Sequence, residues 1–331
     1  MRGRKLVLMA AFLTAATGVC AKDLPPITQV VSFGDSLSDA GTYGFRFTTN
    51  PGMTFAQLLA VHYGQLPLPN EHLDTYSDVY KGTHGIPGPG GLNYAEGGAR
   101  AYSAYSAVSD DVEGLPISTT IQLKHFLVQH RAFTPDQLVT LYVGTNDAAY
   151  HYDPTINADL AKQLRDNRPP SVAVMHAEKA RVEKAADSEA QMARDIIAHG
   201  ARRLVVFKLV NLGQLPWFHT AAARAFATEL GQAYNRRLVE QLPKDQQRVL
   251  VIDTAAFVNG IIANAVNNGI THGANEDACR QDDQDYCFAT TLKDADADRS
   301  YIFAAEEHMT TRANILLAEY VLKKISESPL K

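Results

Sequence analysis

VVSFGDSLSDAG, residues 30–41, opens on a short apolar run and breaks at once into Gly34-Asp35-Ser36. A β-branched, apolar run bounded by turn residues predicts a strand buried on both faces of a parallel sheet. A helix is predicted to follow. It would place the Ser36 hydroxyl at a helix N-terminus, where free N–H groups and the dipole favour a developing negative charge. Serine and aspartate are also ordinary N-cap residues, so the tripeptide alone is explained equally well by a cap.

The same signal recurs along the chain. Residues 138–143 (LVTLYV), 203–208 (RLVVFK) and 249–253 (VLVID) resemble 28–33 (TQVVSF), and 92–95 is a weaker fifth candidate strand. Between them lie helical patterns at 53–63, 118–130, 174–199, 220–242 and 254–267. In the fourth, Phe226, Leu230, Tyr234 and Leu238 recur every four residues and mark a buried face. Strand–helix alternation over this length predicts an α/β fold, a three-layer α/β/α sandwich. In such a sheet the reactive groups gather at the C-terminal strand ends.

Residues 70–91, rich in Gly, Pro and Tyr, read as a surface insertion over that end, and 275–300 as a second, acidic loop. Asp294, Asp296 and Asp298 alternate as in a calcium loop. However, Arg299 stands where the turn needs glycine and Ala305 where the bidentate glutamate belongs, so the match fails, a solvated acidic loop is the better reading, and no metal is expected there.

The composition, 331 residues with 46% hydrophobic and 20% charged, allows a full globular core. Residues 1–21 differ from the rest. Arg2, Arg4 and Lys5 precede an apolar run at 6–19, and Val19 and Ala21 sit where a signal peptidase needs small residues. The run is short for a membrane span, so a secretory signal peptide with mature Lys22 is expected. Cys20 raises a lipoprotein alternative, which Thr17-Gly18-Val19 fits poorly. Signal removal leaves 28 basic against 36 acidic residues, a formal −8, with no basic cluster, which argues against a nucleic-acid partner. It also leaves only Cys279 and Cys287, in CRQDDQDYC, read as one local disulfide.

FGDSLSDAG resembles the signature of the GDSL lipase/esterase family, the SGNH hydrolases. NYAEGGA (93–99), GTND (144–147), VNLGQLP (210–216) and HMTTRANILLAEY (308–320) resemble its further blocks, in order. The resemblance runs from about 30 to 321, so residues 22–331 are taken as a single domain. It implies a flavodoxin-like, mostly parallel five-stranded sheet and a serine esterase without a cofactor. The substrate would be a carboxylic ester, lipid esters in the bacterial members most similar, met in transient contact with a membrane surface or lipid aggregate.

The resemblance assigns roles residue by residue. Ser36 is the nucleophile, which needs a base to take its proton, and His308 is that base. The oxyanion donors are the Ser36 N–H, the Gly97 N–H, with Gly98 as rival, and the Asn146 side chain. Tyr102, Tyr105, Trp217 and Phe218 could line an acyl cleft or be ordinary core and surface aromatics. The GxSxG elbow of the α/β-hydrolases is absent.

One member departs from the pattern. The family places an aspartate three residues before the histidine, and here that position is Ala305. Glu306 is the first substitute, Glu307 the second, and a Ser–His dyad or a remote carboxylate the remaining option. Acyl transfer to an alcohol and carbohydrate O-acetyl ester cleavage share the same fold and stay open. A weakened binding protein is the reading from a different class. The final helix is expected to be capped by Thr310 or Thr311 and to bury Ile315, Leu322 and Ile325.

Overall fold

The computed structural model describes residues 24–72, 88–101, 118–154, 156–280 and 285–331. In chain order these form β1 (Gln29–Gly34), β2 (Thr49–Asn50), α1 (Phe55–His62), α2 (Thr119–His130), β3 (Gln137–Tyr142), α3 (Thr145–Ala149) and α4 (Ala158–Arg165). Then come α5 (Val172–Ala198), β4 (Leu204–Phe207), α6 (Ala221–Gln241), β5 (Val249–Ile252), α7 (Thr254–Ala263) and α8 (Ala265–Asn268). The chain closes with β6 (Cys287–Phe288), α9 (Ala297–Ser300), β7 (Phe303–Ala305), β8 (His308–Met309) and α10 (Thr311–Ser326). The proposed leader at 1–21 and most of the 70–91 insertion lie outside the described residues.

The central sheet is parallel, in the order β1-β3-β4-β5. The weak fifth run lies alongside β1 through a parallel bridge, Ser32 to Asn93, with Ser32 N–H donating to the Leu92 carbonyl (3.0 Å) and Tyr94 N–H to Ser32 (2.8 Å). The chain thus starts in the middle of the sheet, steps to one side at 92–95, and crosses to the other at β3. That reversal opens a crevice beyond the C-terminal ends of β1 and β3.

Both faces of the sheet are covered. Phe33 of β1 packs its ring on Phe126 of α2 (5.9 Å), in the layer that continues through α5 and α6. Tyr142 of β3 and Phe207 of β4 stack at 4.9 Å on the opposite side, where Phe55 of α1 meets Phe207 at 4.8 Å and α1 packs on α10. Phe226, Leu230, Tyr234 and Leu238 of α6 are all buried, as their four-residue spacing predicts.

Four stretches differ from the sequence expectation. No regular helix follows β1; residues 35–39 make one turn, with Ser38 and Asp39 N–H groups on the Asp35 carbonyl (3.0 and 3.1 Å). The side chains are the cause. Asp35 Oδ1 accepts the Leu37 N–H (3.1 Å), and Asp39 Oδ1 accepts those of Gly41 and Thr42 (both 2.8 Å), which draws the backbone into Asx turns. Short helices α3 and α4 carry too few turns for a periodic signal, although Asn157 caps α4 by accepting the Leu160 N–H at 3.1 Å. In α10 the cap is Thr310, on the Ala313 N–H (3.2 Å). The buried stripe is Leu317, Val321 and Ile325, while Ile315 and Leu322 are half-buried.

Candidate active site

Three strand ends and one hairpin converge on a cavity of about 120 Å³. The turn after β1 supplies Ser36, the segment after 92–95 supplies Gly98, and the turn after β3 supplies Asn146. His308 opens β8, which pairs antiparallel with β7 across the two-residue turn Glu306-Glu307, so that Ala305 lies opposite His308.

His308 Nε2 stands 2.8 Å from Ser36 Oγ, and both side chains are buried, at 2% and 4% exposure. Burial disfavours the imidazolium and lowers the His308 pKa to about 4. A neutral ring can accept a proton at physiological pH, and an Oγ–H···Nε2 bond is the orientation from which it would do so.

The donors around Ser36 differ in availability. No hydrogen bond among the described residues takes the Ser36 N–H. Asn146 gives one amide hydrogen to the Ala99 carbonyl (3.0 Å), which fixes the side chain and leaves the second for the cavity it lines.

Gly97 does not stand where the resemblance put it. Its N–H donates to Asp39 Oδ2 (3.0 Å) and its carbonyl accepts the Tyr43 hydroxyl (2.9 Å), so both backbone groups are engaged. Gly98, at φ +81°, is the glycine that lines the cavity. Gly97 must be a glycine for another reason: a Cβ would lie 2.2 Å from the ring of Phe47. Phe47 in turn packs on the His308 imidazole at 5.1 Å and lines the cavity.

The expected carboxylate is not at Nδ1. That atom is buried and makes no hydrogen bond of normal geometry, so neither Glu306 nor Glu307 orients the ring through it. Glu307 Oε1 lies 3.7 Å from Nε2, the nitrogen already turned to Ser36, and its own carboxyl is pushed well above the usual range by burial. Glu306, at φ +48° in the turn, lines the cavity. The group whose charge and peptide carbonyl act on the ring, raising its basicity against the effect of burial, is Asp285.

Of the four aromatic residues considered for the cleft, Trp217 lines the cavity beside Tyr150. Phe218 does not: at 1% exposure it is a core side chain, packed on Tyr152 at 4.8 Å. Tyr102 and Tyr105 lie outside the described residues. Cys279 and Cys287 are joined, with Cα atoms 5.6 Å apart. Phe47, Asp39 and Asp285 carried no signal of a site role in the sequence.

Behind the site lies a buried acidic layer. Asp35 is pushed up to about 8 by burial, with Asp147 and Asp39 adding to the effect. Glu189, fully buried, accepts the Tyr234 hydroxyl at 2.6 Å and is raised well above the usual carboxylate range. Gly144 permits this arrangement, because at φ +118° it passes the Tyr234 ring where a Cβ would approach to 2.4 Å.

A profile of the GDSL-like Lipase/Acylhydrolase family matches residues 30–321. The chain is 28% identical over 234 residues to the phosphatidylcholine-sterol acyltransferase of Aeromonas hydrophila, a match covering 69% of this chain and 58% of that protein's length. Among solved structures, the acetylxylan esterase Axe2 of Geobacillus stearothermophilus is 10% identical, with a TM-score of 0.44 over 94% of this chain and 99% of that one. Est24, a carbohydrate acetylesterase of Sinorhizobium meliloti, is 13% identical, with a TM-score of 0.35 over 90% and 98%. Matched over most of its length by that profile, the chain belongs to the GDSL-like lipase/acylhydrolase family.

Proposed function

We propose that the protein is an exported serine esterase that cleaves carboxylic esters of uncharged acyl groups, lipid esters above all, through an acyl-Ser36 intermediate. The 2.8 Å contact between His308 Nε2 and Ser36 Oγ, in a cavity at the sheet's switch point, carries this reading. As Ser36 Oγ attacks the carbonyl carbon, its proton passes to Nε2. The oxyanion is met by the Ser36 N–H, the Gly98 N–H and the free amide hydrogen of Asn146. Collapse expels the alkoxide, which takes the proton back from His308. Water, deprotonated at the same nitrogen, then releases the acid.

The lining favours this substrate class. Phe47, Tyr150 and Trp217 offer apolar surface, while Asp153, Asp285 and Glu306 stand in a lining that, among the described residues, includes no lysine or arginine. Such a wall repels an anionic acyl group. The N-terminal basic and apolar runs support export, and the Cys279–Cys287 bond suits an oxidising compartment.

Hydrolysis of a p-nitrophenyl acyl ester series by wild type and Ser36→Ala tests the reading. Ser36→Ala should fall by about 10⁴-fold or more and lose labelling by a fluorophosphonate. Ser36-independent hydrolysis would overturn the proposal. The similarity to an acyltransferase supports a second reading, transfer of the acyl group to an alcohol. Supplying cholesterol as acceptor during turnover of a phospholipid distinguishes them, since transfer yields a sterol ester at the expense of free acid.

A further inference from the structure

The His308 ring has one nitrogen accounted for. Nε2 is committed to Ser36, so whatever fixes the ring must act at Nδ1, and the hairpin that carries His308 brings no carboxylate there. Ala305, opposite His308 across the ladder, has none to give. Glu307 approaches the other nitrogen. A second chain segment reaches the same place from outside the hairpin, and Asp285 is its first described residue.

That segment is anchored on three sides. Cys287 is tied to Cys279 by the disulfide. β6 pairs in parallel with β2, Cys287 beside Thr49 and Phe288 beside Asn50, and Asn50 Nδ2 donates to the Cys287 carbonyl at 3.5 Å. Tyr286 stacks on Phe45 at 3.7 Å, Phe45 meets Phe47 edge-on at 5.2 Å, and Phe47 packs against His308 at 5.1 Å. One row of rings therefore sets the position of both the imidazole and the residue beside Asp285.

We propose that Asp285 is the positioning residue of His308, taking from a disulfide-anchored segment the task that an aspartate at position 305 would perform. Its peptide carbonyl faces Nδ1–H and its carboxylate stabilises the imidazolium that forms when Ser36 gives up its proton. The proposal rests on the esterase reading. The titratable groups that share the cavity with His308 are Glu306 and Glu307 from its own hairpin, Asp285 from the segment before β6, and Tyr150 and Asp153 from the stretch after α3, while Asp35, in the turn beside Ser36, acts on Glu307.

Asp285→Asn, Asp285→Glu, Glu306→Gln and Glu307→Gln, each assayed for kcat, KM and the pH dependence of kcat/KM, test it. Asp285→Asn should lose about a hundredfold in kcat with little change in KM. Its acid limb should also move to lower pH, because removing a nearby negative charge makes His308 harder to protonate. Asp285→Glu should restore the limb, and the two glutamine variants should leave it in place. Wild-type kcat in Asp285→Asn, a loss with an unmoved limb, or a limb moved by Glu306→Gln instead would each overturn the assignment. Fluorophosphonate labelling separates this from the reading beneath it. Wild type that labels at Ser36 while Asp285→Asn behaves as wild type rejects Asp285 alone, whereas wild type that does not label rejects the esterase.

Discussion

Gly97 and Gly98 stand side by side, and only one of them faces the cavity. Gly97 is clamped by Asp39 and Tyr43 and is kept small by Phe47, the ring that also packs on His308. A methyl group there must displace an aromatic ring rather than the end of a flexible chain. Gly97→Ala should therefore lower kcat by about a hundredfold through the imbalance it imposes on His308. The change should leave fluorophosphonate labelling slow but present. On the proposed mechanism, Asn146 meets the reacting oxygen itself. Asn146→Ala should cost about 10²–10³ in kcat, or about 3–4 kcal/mol of transition-state stabilisation, with KM nearly unchanged. Steady-state kinetics on one p-nitrophenyl ester measures both, and a large rise in KM for Asn146→Ala would contradict its placement.

The turn after β1 was predicted as a helix and is instead a run of Asx turns, and this changes how Ser36 is held. A full helix would have supplied a macrodipole. The observed turn supplies fixed side-chain acceptors, with Asp39 bridging from Gly41 and Thr42 to Gly97 across two loops. Asp39→Asn replaces one acceptor oxygen by an NH₂ group, which must then face an N–H donor. It should destabilise the fold by about 1.5–3 kcal/mol, the range for a hydrogen bond to a charged group. The denaturant midpoint reads that loss, and kcat should fall with it because the same bond sets the Gly97–Gly98 segment. Elements of this kind explain where the sequence was legible. Strands and long helices announced themselves by periodicity, and Ser36, Asn146 and His308 by their blocks. Asp285 gave no signal, since one acid in CRQDDQDYC looks like the next and only the fold brings one of them to a histidine 23 residues away. Gly97 was misassigned for a similar reason, because two adjacent glycines differ only in which neighbour each one meets.

Across the molecule, the central sheet places buried acids behind the site, and their protonation makes stability depend on pH. Asp35, raised from 3.8 to about 8 by burial, binds a proton in the folded state over a range where the unfolded chain has lost it. Its contribution is present at low pH and is lost as pH rises through that interval. Asp39, raised to about 6, has the same sign over a narrower range, and Glu189 and Glu307 share it. His308 acts oppositely. Lowered from 6.5 to about 4, it is neutral when folded while the unfolded chain takes up a proton, so its effect on stability improves as pH rises from 4 to 6.5. The two trends offset each other below pH 6.5, and above it the carboxylates act alone. Thermal unfolding of the wild type should therefore show Tm falling between pH 6.5 and 8. Asp35→Asn keeps the oxygen that accepts the Leu37 N–H and removes the titration. Each pH unit of a one-proton difference is worth about 1.4 kcal/mol, and each kcal/mol about 2–4 °C in a chain of this size. Over the three pH units from 5 to 8 this amounts to about 4 kcal/mol, so the advantage of Asp35→Asn over wild type should be roughly 10 °C larger at pH 8 than at pH 5. Equal Tm differences at the two pH values would show that Asp35 is ionised in the folded protein throughout.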